Sequence, residues 1–475
     1  MGMNTDTKKK IIYAAILARG KIIGLASLVK GMNGGADVLT KNIIGVVIFA
    51  ITVFIGGSYW AGKSTEQAFR DGIKEMAGYG IDVTLLDYQR GIFSATAHTE
   101  WVTTLFGDEP VTLSFNHSFR HGPILAFSSA ASARSELTLP EELATLLRET
   151  FGTDPFKGKP PLTITSTFGL GGGSVSRIIS PKTEASGENQ TKLSWGGLDG
   201  EITIGSSYSK IAAKAVMGGL TVSNSEDRLQ TGHATFQSEM KRLDGYELLF
   251  VGTSSFVLDR LSFHGVDSDS IRTFTIKNVH GETDTTINNG VLGIKVRVDA
   301  DTAIMDDTSD FPINKPGLTF LYENIDAQAL DAFSKAKRHQ NNQQENALMA
   351  LLRYQPVFSV KDASASWLEG MTTGDIRIAY VGNGNISKFS LADLDVDVQL
   401  SLPVALINRL LAEQTARGLA EKSKKQINMF NTMIINGVLV EDDDALTVDA
   451  TLRDGALSLN GIPKPLGVLE GVLDF

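Results

Sequence analysis

The sequence predicts a mainly β protein with helical insertions (α+β): a single N-terminal transmembrane helix, then a large, elongated antiparallel β-sheet domain curved into a groove. Three observations predict it. About twenty residues near the N-terminus lack any acidic or basic side chain, in a chain that is otherwise 21% charged. Beyond them, apolar and polar residues alternate with period two again and again, as half-buried strands require. Helical spacing interrupts at only a few places and never alternates with strands, which argues against parallel βαβ architecture.

Ile43 to Gly62 is 20 residues, about 30 Å as a helix and matched to the hydrocarbon thickness of a bilayer. A charge at the centre of such a helix would cost about 2.5–3.5 kcal/mol. Ile43, Val47 and Phe54 belong to the apolar run, and Tyr59 and Trp60 stand at its C-terminal edge, where aromatic rings favour the headgroup level. Residues 1–62 hold seven basic and two acidic side chains, a net of +5, while the remaining 413 hold 37 basic and 52 acidic, a net of −15. The positive-inside rule therefore places residues 1–42 on the cytoplasmic side, 43–62 across the membrane, and 63–475 beyond it. A cleaved signal competes: Gly56-Gly57-Ser58 offers small residues, but Tyr59 and Trp60 spoil the next registers. Within residues 1–31, "IIYAAILARGKIIGLASLVKG" reads as a basic amphipathic helix on the membrane face. The alternative is a start-site extension ahead of Met32.

Composition narrows the chemistry. With no cysteine there is no disulfide, thiolate nucleophile or cysteine-based metal site. The acidic body argues against nucleic acid, which wants a basic face. Glycine at 47 residues against 13 prolines suits many turns between strands.

After the span, Ser64 to Gly78 continues as a short helix with Ala68, Ile73 and Met76 at helical spacing. "VTLSFNHSF" then puts Val111, Leu113 and Phe115 on one face. "DLDVDVQL" turns Leu394, Val396, Val398 and Leu400 inward, and "ALTVDATL" does the same with Leu446, Val448, Ala450 and Leu452. Hairpin turns are expected at Asp454-Gly455, at Gly382 to Asn385 and at Asp199-Gly200. Helices are expected over Leu139–Gly152, over Asn324–Pro356 as one or two pieces, and over Leu402–Phe430. The glycine-rich 169–176 and the proline-containing 311–317 are the best candidates for internal subdivision.

Several segments carry a resemblance. "GGSYWAGKSTE" at the end of the span, "YQRGIFSATAHT" (Tyr88–Thr99), "FNHSFRHGPILAF" (Phe115–Phe127) and "LTVDATLRDGALSLNGIP" (Leu446–Pro463) are similar to the YdgA family, bacterial inner-membrane proteins of unknown function. The motif positions are Tyr88, Arg90, Gly91, Phe93 and Ser94, with His121, Gly122 and Pro123 in the second segment. The resemblance implies a single anchor in the bacterial inner membrane and a periplasmic β-rich domain. It implies no catalytic residues. Residues 1–31 depart from the family, whose members start close to the span.

The chemistry-bearing residue types have plainer readings. His117 and His121 share HxxxH spacing, but on a strand they stand about 13 Å apart, too far for one ion. Asp393, Asp395 and Asp397, and Glu441 to Asp444, lack the glycine and twelfth-position glutamate of a calcium loop. "GLGGGSVS" lacks phosphate-loop spacing, and no G-x-S-x-G elbow occurs. Arg90 either hydrogen-bonds near the turn at Gly91 or faces lipid phosphate. No cofactor and no metal are therefore expected.

The function expected is a membrane-anchored binding or scaffolding module of the cell envelope rather than an enzyme. Its partners would be the bilayer, held through the N-terminal helix, and envelope lipids or membrane proteins, with a homodimer as a further option. The alternative is an envelope glycan- or lipid-modifying hydrolase using paired carboxylates.

Overall fold

The computed structural model describes Ile73 and residues 81–90, 94–103, 111–121, 131–169, 173–188, 190–206, 209–246, 249–267, 270–305, 312–339, 344–382, 390–416 and 420–465. The anchor residues Ile43, Val47, Phe54, Tyr59 and Trp60 lie outside them, as does the expected helix of 64–78 except Ile73. Among the described residues, no helix is long and apolar enough to cross a membrane. The chain is mostly antiparallel sheet, divided into two compact units, Met1–Thr275 and Ile276–Phe475. The stretches 169–176 and 311–317 each lie within one unit.

The first unit is a run of antiparallel strands whose alternation buries one face. β1 (Ile81–Arg90), β2 (Ser94–Thr103), β3 (Val111–His121), β4 (Ala131–Thr138), β5 (Thr163–Phe168) and β6 (Ser174–Ser180) pair in chain order. Leu113 and Phe115 of β3 are both 0% exposed, and each such burial contributes about 1.5–3 kcal/mol. The helix α1 (Glu141–Phe151) adds Leu147 and Phe151 to this core. Glu141 and Glu142 occupy its positive N-terminal end, and Gly152 closes it in the left-handed conformation at φ 68°.

From β6 onward the sheet turns a corner. β7 (Thr183–Ser186), β8 (Lys192–Trp195), β11 (Leu220–Ser223) and β12 (Arg228–Thr231) form a second layer. β9 (Leu198–Ile204), β10 (Lys210–Met217) and β13 (Ala234–Arg242) extend the first layer from β6. The strand β14 (Phe250–Asp267) runs through both, pairing β13 and then β12. Chain passes between layers at Gly196-Gly197 and Gly218-Gly219, which bond to one another through Gly196 N–H to Gly219 O at 2.8 Å and Gly218 N–H to Gly197 O at 2.9 Å. Leu193, Trp195, Leu220 and Val222 of the second layer thereby close over Ile178, Ile202 and Ile204 of the first.

This corner corrects one expectation. Asp199-Gly200 makes no hairpin; both residues sit inside β9. Asp199 is held there by Arg177 across β6, at 2.8 Å, and a Cβ on Gly200 would already touch Ile178 and Ala215 at 3.4 and 3.5 Å. The turn lies three residues earlier, at the glycine pair.

The second unit continues from β15 (Ser270–Asn288), which crosses the unit boundary, in the order β15, β16 (Val291–Asp299), β18 (Ile313–Asp326), β19 (Val357–Trp367), β20 (Gly370–Tyr380), β21 (Leu394–Pro403), β23 (Ala445–Arg453), β24 (Ala456–Leu459) and β25 (Ile462–Lys464). Short strands β17 (Thr302–Met305) and β22 (Val440–Asp442) pair onto β18 and β23. The expected turn at Asp454-Gly455 joins β23 to β24, with φ of 51° and 75°. The one at Gly382 to Asn385 lies outside the described residues beyond Gly382. Residues 324–356 give two helices, α2 (Ala327–His339) and α3 (Gln344–Leu352). Asp326 caps α2, its carboxylate accepting from the Ala329 N–H at 2.7 Å.

The single helix expected over Leu402–Phe430 is two, α4 (Val404–Ala416) and α5 (Ala420–Ile435). Leu402 and Pro403 belong to β21 instead, where the ladder with Leu446 and Ala445 claims them.

Candidate functional site

Two polar constellations and one apolar surface stand out. The HxxxH histidines lie on β3, as the alternation requires, and the structure separates their fates. His117 points into the core of the first unit, 4% exposed and stacked between Phe115 and Phe119 at 6.1 and 6.2 Å. One ring nitrogen meets Thr99 Oγ1 at 2.8 Å, the other Ser135 Oγ at 2.9 Å, and the Trp101 indole N–H donates to the same Thr99 oxygen at 2.7 Å. Burial, and secondarily the nearby His98, push its pKa down to about 3. A neutral ring satisfied on both nitrogens is a core tie, not a metal ligand. His121 ends β3, where its backbone faces Ala131.

The family-motif positions gather at one end of β1, β2 and β3. Arg90 pairs with Ala95, Ser94 with Arg120, and His121 follows directly. Tyr88 packs its ring 6.2 Å from Phe119. Gly91, Phe93, Gly122 and Pro123 lie outside the described residues.

The aspartate row Asp395–Asp397 of β21 carries no calcium geometry. Arg453 reaches Asp397 at 2.8 Å and Asp395 at 3.4 Å, and Arg377 approaches the same pair at 3.7 and 3.5 Å. Its neighbour Asp393 instead closes a short 3-10 turn, taking the Ser390 N–H at 2.8 Å. Among the described residues, no three His, Asp or Glu side chains gather as metal ligands would.

The apolar surface is the other side of that same sheet. Cross-strand register sets Val296, Phe320, Val360, Ile376, Val398 and Ala450 in one continuous row over β16, β18, β19, β20, β21 and β23. A second row runs beside it: Ile294, Tyr322, Phe358, Ile378, Val396 and Leu452. Six strands at about 4.8 Å spacing make each row about 24 Å long. The Phe358 ring ties the rows together, 6.2 Å from Phe320 and 5.1 Å from Tyr322. Not one of these twelve side chains is fully buried; Tyr322 is 40% and Ile376 37% exposed. The core of the first unit, with Leu113 and Phe115 at 0%, shows what a closed apolar face of this chain looks like. On the opposite face stand the charged Arg297, Lys361, Arg377, Asp397 and Arg453, and between them Thr319 and Ser359, only 5% and 1% exposed. The sheet therefore carries its charged side chains on one face, itself buried in places, and its apolar rows on the other, where they are left partly open.

Helices α4 and α5 cover only one end of it. Ile407, Leu411, Phe430, Met433 and Ile434 cluster with Leu402, Leu446 and Val448, while Met433, Ala450 and Leu452 pack against the buried Val438, Leu457 and Leu459. Arg409 of α4 ties down to Glu369 in the turn between β19 and β20. Sequence pattern placed the apolar residues of β21 and β23 on one face, but Leu400, expected inward, is 36% exposed. The rows on β16, β18, β19 and β20 are not among those singled out from the sequence; β18 and β19 carry bulges at Asn324 and Asp362, both at positive φ, whereas 294–298 and 375–378 alternate cleanly.

No curated protein matches the chain, and no solved structure does. A family model described as a bacterial protein of unknown function, DUF945, matches residues 40–466. With that match running through both compact units, the chain belongs to the DUF945 family of bacterial proteins.

Proposed function

We propose that this protein is a membrane-tethered binding module of the bacterial envelope that shelters lipid acyl chains on the open apolar rows of its C-terminal unit. The carrying observation is the pair of rows from Ile294 and Val296 to Leu452 and Ala450, apolar throughout save for the Tyr322 hydroxyl, and nowhere fully covered. Apolar surface of this extent, left to water, drives association with something apolar. At about 24 Å it exceeds the roughly 15 Å depth of one leaflet's hydrocarbon, so an extended acyl chain fits along it. The uncharged run Ile43–Gly62 and the shift from net +5 to net −15 across it support an inner-membrane anchor with the body in the periplasm. The resemblance to the YdgA family is the narrower description of that arrangement.

A protein partner would be expected to meet polar anchors within its contact surface, and the rows offer almost none. A carboxylate-based hydrolase draws little support. The adjacent carboxylates Asp395 and Asp397 are committed to Arg377 and Arg453 on a sheet face.

The test is photo-crosslinking in intact cells with benzophenone placed at Val398 on the rows and at Asp449 on the opposite face. Phospholipid adducts at Val398 and none at Asp449 are expected. Adducts to protein alone at Val398 would overturn the proposal.

A further inference from the structure

Between α4, α5 and the edge of β22 and β23 lies a cavity of about 360 Å³, lined by Val404, Ile407, Leu411, Ile427, Phe430 and Leu446 among others. That volume falls in the range of small-molecule sites, about 300–1,000 Å³. From Ile427 to Ile434 the lining follows seven residues of α5, about 10 Å at 1.5 Å per residue. The walls are aliphatic and aromatic. Their polar exceptions are the amides of Asn408 and Asn431 and the side chain of Glu441.

Glu441 is the register partner of Leu446, so it stands on the strand that closes the cavity. It opens a run of four carboxylates, Glu441, Asp442, Asp443 and Asp444, all exposed. The turn they form is fixed against the helix pair: the Val404 N–H donates to the Asp444 carbonyl at 2.8 Å. Among the described residues, six arginine–carboxylate pairs elsewhere in this unit draw on other acids, Asp299, Glu369, Asp395 and Asp397. Three residues ahead of the lining Ile427, Lys424 is exposed on α5.

We propose that this cavity takes a single-chain amphiphile with an ammonium head group, its tail along Leu411, Ile427 and Phe430 and its head at Glu441. Three features select that ligand. Most of the lining side chains are aliphatic or aromatic, so the cavity can take a tail. The carboxylate run at its mouth attracts a cation and repels an anionic head. Asn408 and Asn431 supply carbonyl acceptors for the ammonium N–H groups. The proposal concerns a different surface from the open rows and does not rest on their reading.

The experiment uses the full chain in phosphatidylcholine nanodiscs. Dodecylamine and dodecanoic acid, each carrying a diazirine at the tail, are photolysed with it and the adducts are mapped by mass spectrometry. The amine is expected to label peptides covering 404–412 and 427–434, at least threefold more than the acid, which is the scale of exposed charge interactions. Neutralising the run (Glu441→Gln with Asp442→Asn, Asp443→Asn and Asp444→Asn) is expected to erase that preference. Ala412→Trp, at the exposed rim, is expected to block labelling while the melting transition stays in place. Equal labelling by both probes, labelling confined to other peptides, or a preference that survives neutralisation would each overturn the proposal.

Discussion

Gly196 and Gly218 sit back to back where the sheet of the first unit turns its corner. A Cβ on Gly218 would fall 2.3 Å from the Gly196 carbonyl oxygen, and one on Gly196 would fall 2.2 Å from that of Gly218. Both contacts are with backbone, so no side chain can yield. The sequence writes this corner twice, as Trp195-Gly-Gly-Leu198 and Met217-Gly-Gly-Leu220, with the flanking Trp195, Leu198 and Leu220 buried. Gly218→Ala is therefore expected to cost about 3 kcal/mol, the upper range of overpacking. Gly245→Ala is the control. It keeps a positive φ of 83° but meets nothing within 4 Å, so it costs only the left-handed penalty of about 1–2 kcal/mol. Urea midpoints of the two variants check the order.

Acid sensitivity should trace to His117. Its folded pKa, about 3, lies below the ordinary value of 6.5. Between those values the unfolded chain binds a proton that the folded one refuses. The stability from the neutral ring is thus fully present above pH 6.5 and drains away as pH falls toward 3, by about 1.4 kcal/mol per pH unit. His117→Gln keeps a donor and an acceptor for Thr99 and Ser135 but cannot titrate. Its unfolding free energy is expected to fall less steeply over that window. Parallel slopes for the two proteins would remove His117 as the cause.

The two apolar faces should respond differently to the same kind of truncation. Phe115 is sealed at 0% exposure, so Phe115→Ala is expected to cost about 3–5 kcal/mol through lost contacts and a cavity. Ile376 is 37% exposed, so Ile376→Ala is expected to cost about 1 kcal/mol. Chemical denaturation measures both. A cost at Ile376 equal to that at Phe115 would mean the rows form a closed core, and the lipid reading would lose its footing.

These contrasts also mark what the sequence can and cannot carry. Period-two alternation in "VTLSFNHSF" and "DLDVDVQL" suffices to identify β3 and β21 and their inward faces, because side-chain direction along a strand is local. The helix at Glu141–Phe151 is legible for the same reason, from its proline, its acidic first turn and its closing glycine. Whether an inward face meets a second layer is a tertiary fact. Phe115 and Phe320 sit in similar local patterns, yet one is closed over and the other left half open. The corner glycines illustrate the same limit: Asp199-Gly200 has better turn chemistry than Gly196-Gly197, but pairing with Arg177 and the second layer of Leu193 and Trp195 decides the matter.

Charge placed on the rows should abolish lipid contact without unfolding the sheet. With benzophenone at Tyr322 as reporter, the parent protein is expected to yield phospholipid adducts, since Tyr322 belongs to the row beside Ile376. Ile376→Glu puts a carboxylate in the middle of that surface, where a hydrated ion and an acyl chain exclude one another. Because Ile376 already touches water, the substitution leaves the fold standing, and adduct yield should fall to background. Lys361→Glu changes charge by two at an exposed position on the charged face of the neighbouring strand and should leave the yield unchanged. A loss in both variants would point to long-range electrostatics; no loss in either would mean the chain at Tyr322 meets lipid without using these rows. Only the split outcome fits an acyl chain lying across Phe358, Ile376 and Val398.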